Sequence, residues 1–121
     1  MKHKILVVDD NQTNQLVAKL MLEQLGYEYD SASDGSEALA KYDKGYHLIL
    51  LDLGLPDIDG ITVAEFIFKH HKNNPIPIIA CTGFGNEKRA ECLAVGMRDY
   101  LTKPIEFDHL KSILAQHLTP M

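Results

Sequence analysis

The sequence lacks a hydrophobic run long enough to cross a membrane, since no apolar stretch approaches about 18 residues. It also lacks a secretory signal, because its opening, MKHKILVVDD, has no long apolar segment followed by a small-residue cleavage site. Cysteine is scarce, and Cys81 and Cys92 have neither a metal-ligand spacing nor a secreted context. These absences predict a soluble cytoplasmic protein with free thiols and no membrane insertion.

Positive charge is also in short supply. The chain has 12 basic and 17 acidic residues and a net charge of −5, so it exerts no general electrostatic attraction on nucleic acid. We therefore expect no direct contact with nucleic acid. The length of 121 residues and the hydrophobic content of 45% suit one globular domain with a core of its own, and we expect residues 1–121 to form that single domain.

Short apolar blocks recur along the chain and predict the strands of a sheet. The blocks at 5–8, 48–51 and 76–81 have the length and branching of buried parallel strands. Two further candidates, 28–32 and 98–101, are shorter or more polar. Because inner strands of a parallel sheet are covered on both faces, we expect the three apolar strands inside and the two polar strands at the edges.

Segments with helical spacing separate these strands. In the first, Leu16 and Leu20 lie four residues apart, as do Val17 and Met21, and Gly26 follows as a natural helix end. The five predicted helices cover 13–25, 35–44, 60–71, 86–95 and 106–118. Strict alternation of strand and helix predicts an α/β fold, a doubly wound parallel sheet of five strands with helices on both faces.

Polar residues follow the predicted strands at the edge where such folds bind ligands. Asp9 and Asp10 end the first strand, Asp52 ends the third, Thr82 follows the fourth and Lys103 comes just after the fifth. Singly, each is explained as a turn former, a helix cap or a surface charge. Together they are harder to explain in that way, because three carboxylates at one edge repel one another unless a cation joins them.

Magnesium is the cation that this donor set favours, because Mg²⁺ prefers carboxylate, carbonyl and water oxygens. The six histidines show no spacing typical of a zinc site. A largely hydrated Mg²⁺ binds phosphate, and Lys103 with Thr82 would complete a cradle for phosphoryl oxygens. Asp52 would then be the nucleophile toward phosphorus, giving an acyl phosphate.

Four motifs extend this interpretation to a known family. They are VVDDN (7–11), LLDLGLPDIDG (50–60), CTG (81–83) and YLTKP (100–104). In this order and spacing, the chain resembles the receiver domain of two-component response regulators along nearly its whole length. The resemblance implies a flavodoxin-like sheet with strand order 2-1-3-4-5.

The resemblance also implies roles for individual residues. Asp52 would be the phosphoacceptor, and the Mg²⁺ ligands would be the carboxylates of Asp9, Asp10 and Asp52 with the backbone carbonyl of Gly54.

The remaining site residues would bind the phosphoryl group and report its presence. Thr82 and Lys103 would contact the phosphoryl oxygens, and the bond between Lys103 and Pro104 would be cis. Tyr100 matches the switch aromatic of the family, which turns inward when Thr82 moves toward the phosphoryl group.

By the same resemblance, the phosphodonor is a phosphohistidine on a histidine kinase or a histidine phosphotransfer domain, while the receiver itself catalyses the transfer. The opening DDNQTNQLV (9–17) is most like receivers fused to hybrid sensor histidine kinases. A stand-alone single-domain response regulator is the alternative. The output would pass through a protein surface, expected at the fourth helix, fifth strand and fifth helix, and a dimer formed on phosphorylation is left open.

Other classes fit the residues less well. A haloacid-dehalogenase-type phosphohydrolase needs a second Asp two residues after its nucleophile, but Asn11 follows Asp9 and Gln12 follows Asp10 at that spacing. A flavodoxin-like electron carrier needs a phosphate-binding loop after the first strand, where the acidic DDNQTNQ would repel phosphate. A degenerate receiver should lack at least one of the five site residues, and all five are present.

Two positions depart from the commonest family pattern. The resemblance implies that the positions of Gly54 and Phe84 flank the path by which water attacks the acyl phosphate, and neither residue offers a polar side chain to orient that water. We therefore expect slow spontaneous hydrolysis of the phosphorylated form.

Overall fold

The computed structural model describes residues 2–71, 75–83 and 85–118, along which five strands alternate with five helices. The elements are β1 Lys4–Val8, α1 Gln12–Leu25, β2 Glu28–Ala32, α2 Gly35–Lys41, β3 Leu48–Asp52, α3 Gly60–His70, β4 Ile78–Thr82, α4 Arg89–Ala94, β5 Asp99–Thr102 and α5 Phe107–His117. None of these helices combines the length and the apolar character that crossing a bilayer requires.

All five strands are parallel and pair in the order β2-β1-β3-β4-β5. The predicted architecture and strand order are therefore confirmed. The apolar strands β1, β3 and β4 lie inside, and the more polar β2 and β5 lie at the edges. The register sets Asp52 beside Cys81 and Thr82 beside Thr102, so the carboxyl ends of the strands meet at one edge.

Side chains alternate along each strand and pack into two apolar cores, one on each face of the sheet. Leu6, Ile49 and Ile78 pack with α2, α3 and α4 on one face. Ile5 and Leu50 point the other way and pack with α1 and α5. Burial on both faces explains why the inner strands are apolar without alternation.

Both cysteines lie in these cores. Cys81 and Cys92 are free thiols and are buried, as the scarcity of cysteine predicted. Burial raises the pKa of Cys81 to about 12, so this thiol remains protonated at neutral pH.

The buried face of helix α1 is not the face that carries most of its large apolar residues. Ala18 and Leu22 are fully buried, whereas Leu16, Val17 and Leu20 are 51%, 41% and 53% exposed. Ala18 allows close packing of the helix on the sheet beside Leu22, and Leu16, Val17 and Leu20 face solvent. The apolar spacing therefore predicted the helix correctly without predicting its buried side.

Several boundaries differ from the predicted ones for local reasons. Strand β4 starts at Ile78 rather than residue 76, because Pro77 has no N–H to donate to the ladder. Helix α4 starts at Arg89 rather than residue 86, and Lys88 before it offers no side-chain cap. Helix α2 ends at Lys41 rather than residue 44, and a turn follows with Gly45 at φ 92°.

Candidate functional site

The five polar residues that the sequence singled out lie at the carboxyl edge of the sheet. Asp52 is the last residue of β3 and Thr82 the last of β4, while Asp9 and Asp10 follow β1 and Lys103 follows β5. Asp9, Asp52 and Thr82 are almost fully buried, with 5%, 6% and 2% of their surface exposed. Buried polar groups need partners, so their contacts determine what the site can do.

Lys103 joins two of the strands through its ammonium group. Its Nζ lies 2.8 Å from Oδ2 of Asp9 and 3.2 Å from Oδ1 of Asp52. The backbone N–H of Lys103 also donates to the carbonyl of Thr82 at 2.7 Å. One side chain from the loop after β5 thus contacts the carboxylates that follow β1 and end β3.

The carboxylates form a compact cluster of hard oxygen donors. One oxygen from each of Asp9, Asp10 and Asp52 lies within 4.8 Å of the other two, and Asp10 is the solvent-exposed member. Lys103 supplies one positive charge against three negative ones. The remaining excess of two negative charges and the all-oxygen donor set fit a divalent hard cation such as Mg²⁺.

Burial and neighbouring charges together shift the pKa of two groups at the site. Burial raises the pKa of Asp52, although the N–H of Gly54 and the ammonium of Lys103 oppose this shift. Burial alone would lower the pKa of Lys103, but its hydrogen bond to Asp9 and its attraction to Asp52 outweigh burial and raise it. Lys103 is therefore a permanent cation, and a nearby cation favours the nucleophilic, ionised form of Asp52.

The loop after β1 is held by hydrogen bonds to its own backbone. The N–H of Asn11 donates to Oδ1 of Asp9 at 2.9 Å, and Oδ1 of Asn11 caps α1 by accepting from the N–H of Asn14 at 2.9 Å. Gln15 donates from Nε2 to the carbonyl of Asp9. Gln15 could not be predicted from the sequence, because nothing in the local pattern shows that a helix residue turns back onto this loop.

The loop between β3 and α3 depends on a close approach at Gly60. A Cβ at Gly60 would lie 2.5 Å from the carbonyl oxygen of Asp52 and 2.7 Å from Cα of Leu53, so only glycine fits there. The N–H of Gly60 donates to the carbonyl of Leu53 at 3.1 Å. In the same loop, the N–H of Gly54 donates to Oδ1 of Asp52 at 3.2 Å. The carbonyl of Gly54 as a metal ligand stays a prediction.

The residues expected to act as a switch lie on neighbouring strands, Thr82 at the end of β4 and Tyr100 on β5. The bond between Lys103 and Pro104 is cis. The ring of Tyr100 is 3% exposed, and its hydroxyl has no hydrogen-bond partner among the described residues. Phe84 lies outside the described residues.

Comparison with known sequences identifies the family. The sequence model of the response regulator receiver domain matches residues 5–115. The chain is 40% identical over 121 residues to the osmosensing histidine protein kinase SLN1 of Saccharomyces cerevisiae, covering 93% of this chain and 10% of the kinase. It is 36% identical over 152 residues to probable histidine kinase 1 of Oryza sativa, covering 98% of this chain and 16% of that protein. The chain thus spans a small part of these relatives.

Solved structures agree with the sequence comparison. The receiver domain of the sensor histidine kinase PA1611 from Pseudomonas aeruginosa, which has a magnesium ion coordinated in its active site cleft, superimposes with a TM-score of 0.87 at 36% identity, covering 97% of this chain and 98% of that one. The complex of the Saccharomyces cerevisiae phosphotransfer protein Ypd1 with the receiver domain of Ssk1 matches with a TM-score of 0.88 at 30% identity, covering 96% of this chain and 88% of that one.

The family match spans most of the chain and includes every element that carries a site residue. The sheet order and the buried acidic cluster at its carboxyl edge agree with that match. The chain belongs to the family of response regulator receiver domains.

Proposed function

We propose that this domain accepts a phosphoryl group from a phosphohistidine onto Asp52 and so relays a signal to a protein partner. The observation that carries the proposal is the buried Asp52 carboxylate, which lies 3.2 Å from the ammonium of Lys103 within a cluster of three carboxylates. A nucleophile needs nearby positive charge when it attacks a phosphoryl group, and Lys103 supplies it.

The transfer replaces one bond at phosphorus by another. A carboxylate oxygen of Asp52 forms a bond to phosphorus as the bond from phosphorus to the donor imidazole nitrogen breaks, and that nitrogen keeps the electron pair. Lys103 neutralises charge on the phosphoryl oxygens, and the hydroxyl of Thr82 donates a hydrogen bond to one of them. The movement of Thr82 toward the phosphoryl group would then be read by Tyr100.

The carboxylates of Asp9, Asp10 and Asp52 and the carbonyl of Gly54 would hold Mg²⁺ in this domain. When bound, Mg²⁺ supplies positive charge to the phosphoryl oxygens. This assignment is supported by the clustering of the three carboxylates and by the magnesium ion coordinated in the receiver domain of PA1611. Most of the remaining ligands would be water, so we expect weak binding to the unmodified protein.

The cellular setting proposed is a hybrid sensor histidine kinase, with residues 1–121 as its receiver domain. The kinases SLN1 of yeast and histidine kinase 1 of rice support this over a stand-alone regulator. The phosphodonor would be a histidine kinase or a histidine phosphotransfer domain, a pairing supported by the complex of Ypd1 with the receiver domain of Ssk1. The domain would act in the cytoplasm, with its output face on α4, β5 and α5.

Intact-mass spectrometry tests the proposal with acetyl phosphate as the donor. The wild-type protein should gain one phosphoryl mass only when Mg²⁺ is present, and Asp52→Asn should gain none, because an amide is not a nucleophile toward phosphorus. Asp59→Asn is the matched control, since Asp59 caps α3 through Ile61 and Thr62 and does not contact the cluster. An adduct retained in Asp52→Asn but lost in Asp9→Asn would instead favour a phosphohydrolase that uses the end of β1.

A further inference from the structure

Asp57 is an exposed carboxylate outside the acidic cluster with an unusual number of partners. Its Oδ1 accepts from the N–H groups of Gly35 and Ile58, both at 2.8 Å. Its Oδ2 accepts from the N–H of Ser36 at 2.9 Å and from the hydroxyl of Ser36 at 2.7 Å. These bonds, led by the one from the Ser36 hydroxyl, hold the pKa of Asp57 well below its usual range, so the carboxylate stays charged at neutral pH.

The contact joins two separate parts of the chain. Asp57 lies in the loop between β3 and α3, three residues after Gly54, whereas Gly35 and Ser36 begin α2. Helix α2 already has its own cap, because Oδ1 of Asp34 accepts from the N–H of Glu37 at 2.8 Å. The partners of Asp57 are therefore the first N–H groups of α2, which Asp34 leaves unbound. What Asp57 adds is a connection between α2 and the loop.

The junction is packed closely around Gly35. A Cβ at Gly35 would lie 2.9 Å from Cβ of Ile58, 3.2 Å from Oδ1 of Asp57 and 3.2 Å from Cγ2 of Val63. A contact of 2.9 Å requires the chain to shift. The start of α2 can therefore approach the loop only because residue 35 has no side chain.

The loop between β3 and α3, which carries Gly54, is held at two places. The N–H of Gly60 closes the base of the loop on the carbonyl of Leu53 at 3.1 Å, and Asp57 fastens the far side to α2. We propose that Asp57 is a positioning residue for the metal site, which keeps the backbone of Gly54 directed at the acidic cluster. The presence of a metal at Gly54 rests on the proposed function. The anchoring of the loop to α2 rests on the hydrogen bonds of Asp57.

The test compares single substitutions of the two carboxylates that accept from the first N–H groups of α2, Asp57 in the loop after β3 and Asp34 at the helix cap. Asp57→Asn keeps the size of the side chain but replaces one accepting oxygen by an NH2 group, which donates and cannot accept, against one set of its donors. Asp34→Asn removes the same charge at the cap of the same helix, where the carboxylate of Asp34 accepts from Glu37 and not from the loop that follows β3. We expect the Kd for Mg²⁺ to rise about tenfold in Asp57→Asn and less than about twofold in Asp34→Asn. Titration at about 0.15 M salt limits the general effect of charge.

Gly35→Ala should push the start of α2 away from the loop, because the added Cβ would lie 2.9 Å from Cβ of Ile58. It changes no charge. We expect it to weaken Mg²⁺ binding by a similar factor, and the double substitution Gly35→Ala with Asp57→Asn to add little more, because both remove one junction. Equal Kd values for wild type and Asp57→Asn, or equal losses in Asp57→Asn and Asp34→Asn, would overturn the proposal.

Amide hydrogen exchange of metal-free protein separates this proposal from the proposed function. The N–H of Gly54 should exchange at least about threefold faster in Asp57→Asn than in wild type or Asp34→Asn, because its loop has lost one anchor. Failure of the wild type to bind Mg²⁺ would refute the proposed metal site, and the exchange rate would still decide whether Asp57 orders the loop. Unchanged exchange at Gly54 would contradict the positioning role.

Discussion

Replacement of Lys103 by methionine should destabilise the metal-free domain. The substitution keeps an unbranched side chain of similar length and removes the ammonium that lies 2.8 Å from Asp9 and 3.2 Å from Asp52. Those carboxylates are 5% and 6% exposed, so little water can replace the lost partner. The variant therefore leaves two nearly buried negative charges beside each other.

The distances set the size of this effect. At an effective dielectric constant of about 20, a unit charge pair at 2.8 Å attracts by about 6 kcal/mol and one at 3.2 Å by about 5 kcal/mol. Desolvation of the ammonium offsets much of this attraction, and breaking a buried pair costs about 3 to 5 kcal/mol. Because the Lys103 side chain is 19% exposed, we expect a loss of about 2 to 4 kcal/mol at pH 7.

The loss should depend on pH and on Mg²⁺. Burial already raises the pKa of Asp52, and without Lys103 it should rise further. A carboxyl whose pKa is raised by folding destabilises the native state at high pH; this penalty shrinks as pH falls through the raised pKa and disappears only below the unfolded-state pKa. The loss should therefore shrink between pH 7 and about pH 4.5, which lies just above the ordinary aspartate pKa of about 3.9. Mg²⁺ at ten times its Kd should restore about 1.4 kcal/mol, and its Kd should fall in the variant because a competing cation is gone.

Urea unfolding at both pH values, with and without Mg²⁺, measures these effects. Lys111→Met is the matched control, since Lys111 is an exposed residue of α5, and it should change stability by less than about 0.5 kcal/mol. A loss below about 1 kcal/mol in Lys103→Met would show that the two ion pairs contribute little, as would a loss that is equal at both pH values and insensitive to Mg²⁺.

Two further substitutions test individual side chains. Tyr100→Phe should raise the free energy of unfolding by about 1 kcal/mol, because the buried hydroxyl has no partner among the described residues, and a loss of stability would show that the hydroxyl is satisfied. Gly54→Asn should speed hydrolysis of the phosphorylated form by about tenfold, because a Cβ there would lie 3.9 Å from Oδ1 of Asp52 and the amide could orient water. Decay of the adduct after removal of the donor measures this rate, and decay no faster than wild type would contradict it.

The strands and the residues of the acidic cluster were predictable because their signals are local. Apolar runs mark the inner strands, and the topology of a parallel sheet brings their carboxyl ends together. Contacts across the chain were not predictable in this way: Asp57 and Gly35 are 22 residues apart. The exposed side of α1 escaped prediction for a related reason, because the spacing of Leu16 and Leu20 defines a helix but not the face that packs on the sheet.

Chemical trapping shows whether Asp52 is the residue that carries the phosphoryl group. An aspartyl phosphate is a mixed anhydride, and borohydride reduces its acyl carbon to an alcohol, which converts the residue to homoserine. After treatment with acetyl phosphate and Mg²⁺, followed by borohydride and proteolysis, peptide mass spectrometry should find homoserine at position 52 and unmodified Asp9 and Asp10. Homoserine at position 9 or 10, or a phosphorylated protein with Asp52 intact, would contradict the account.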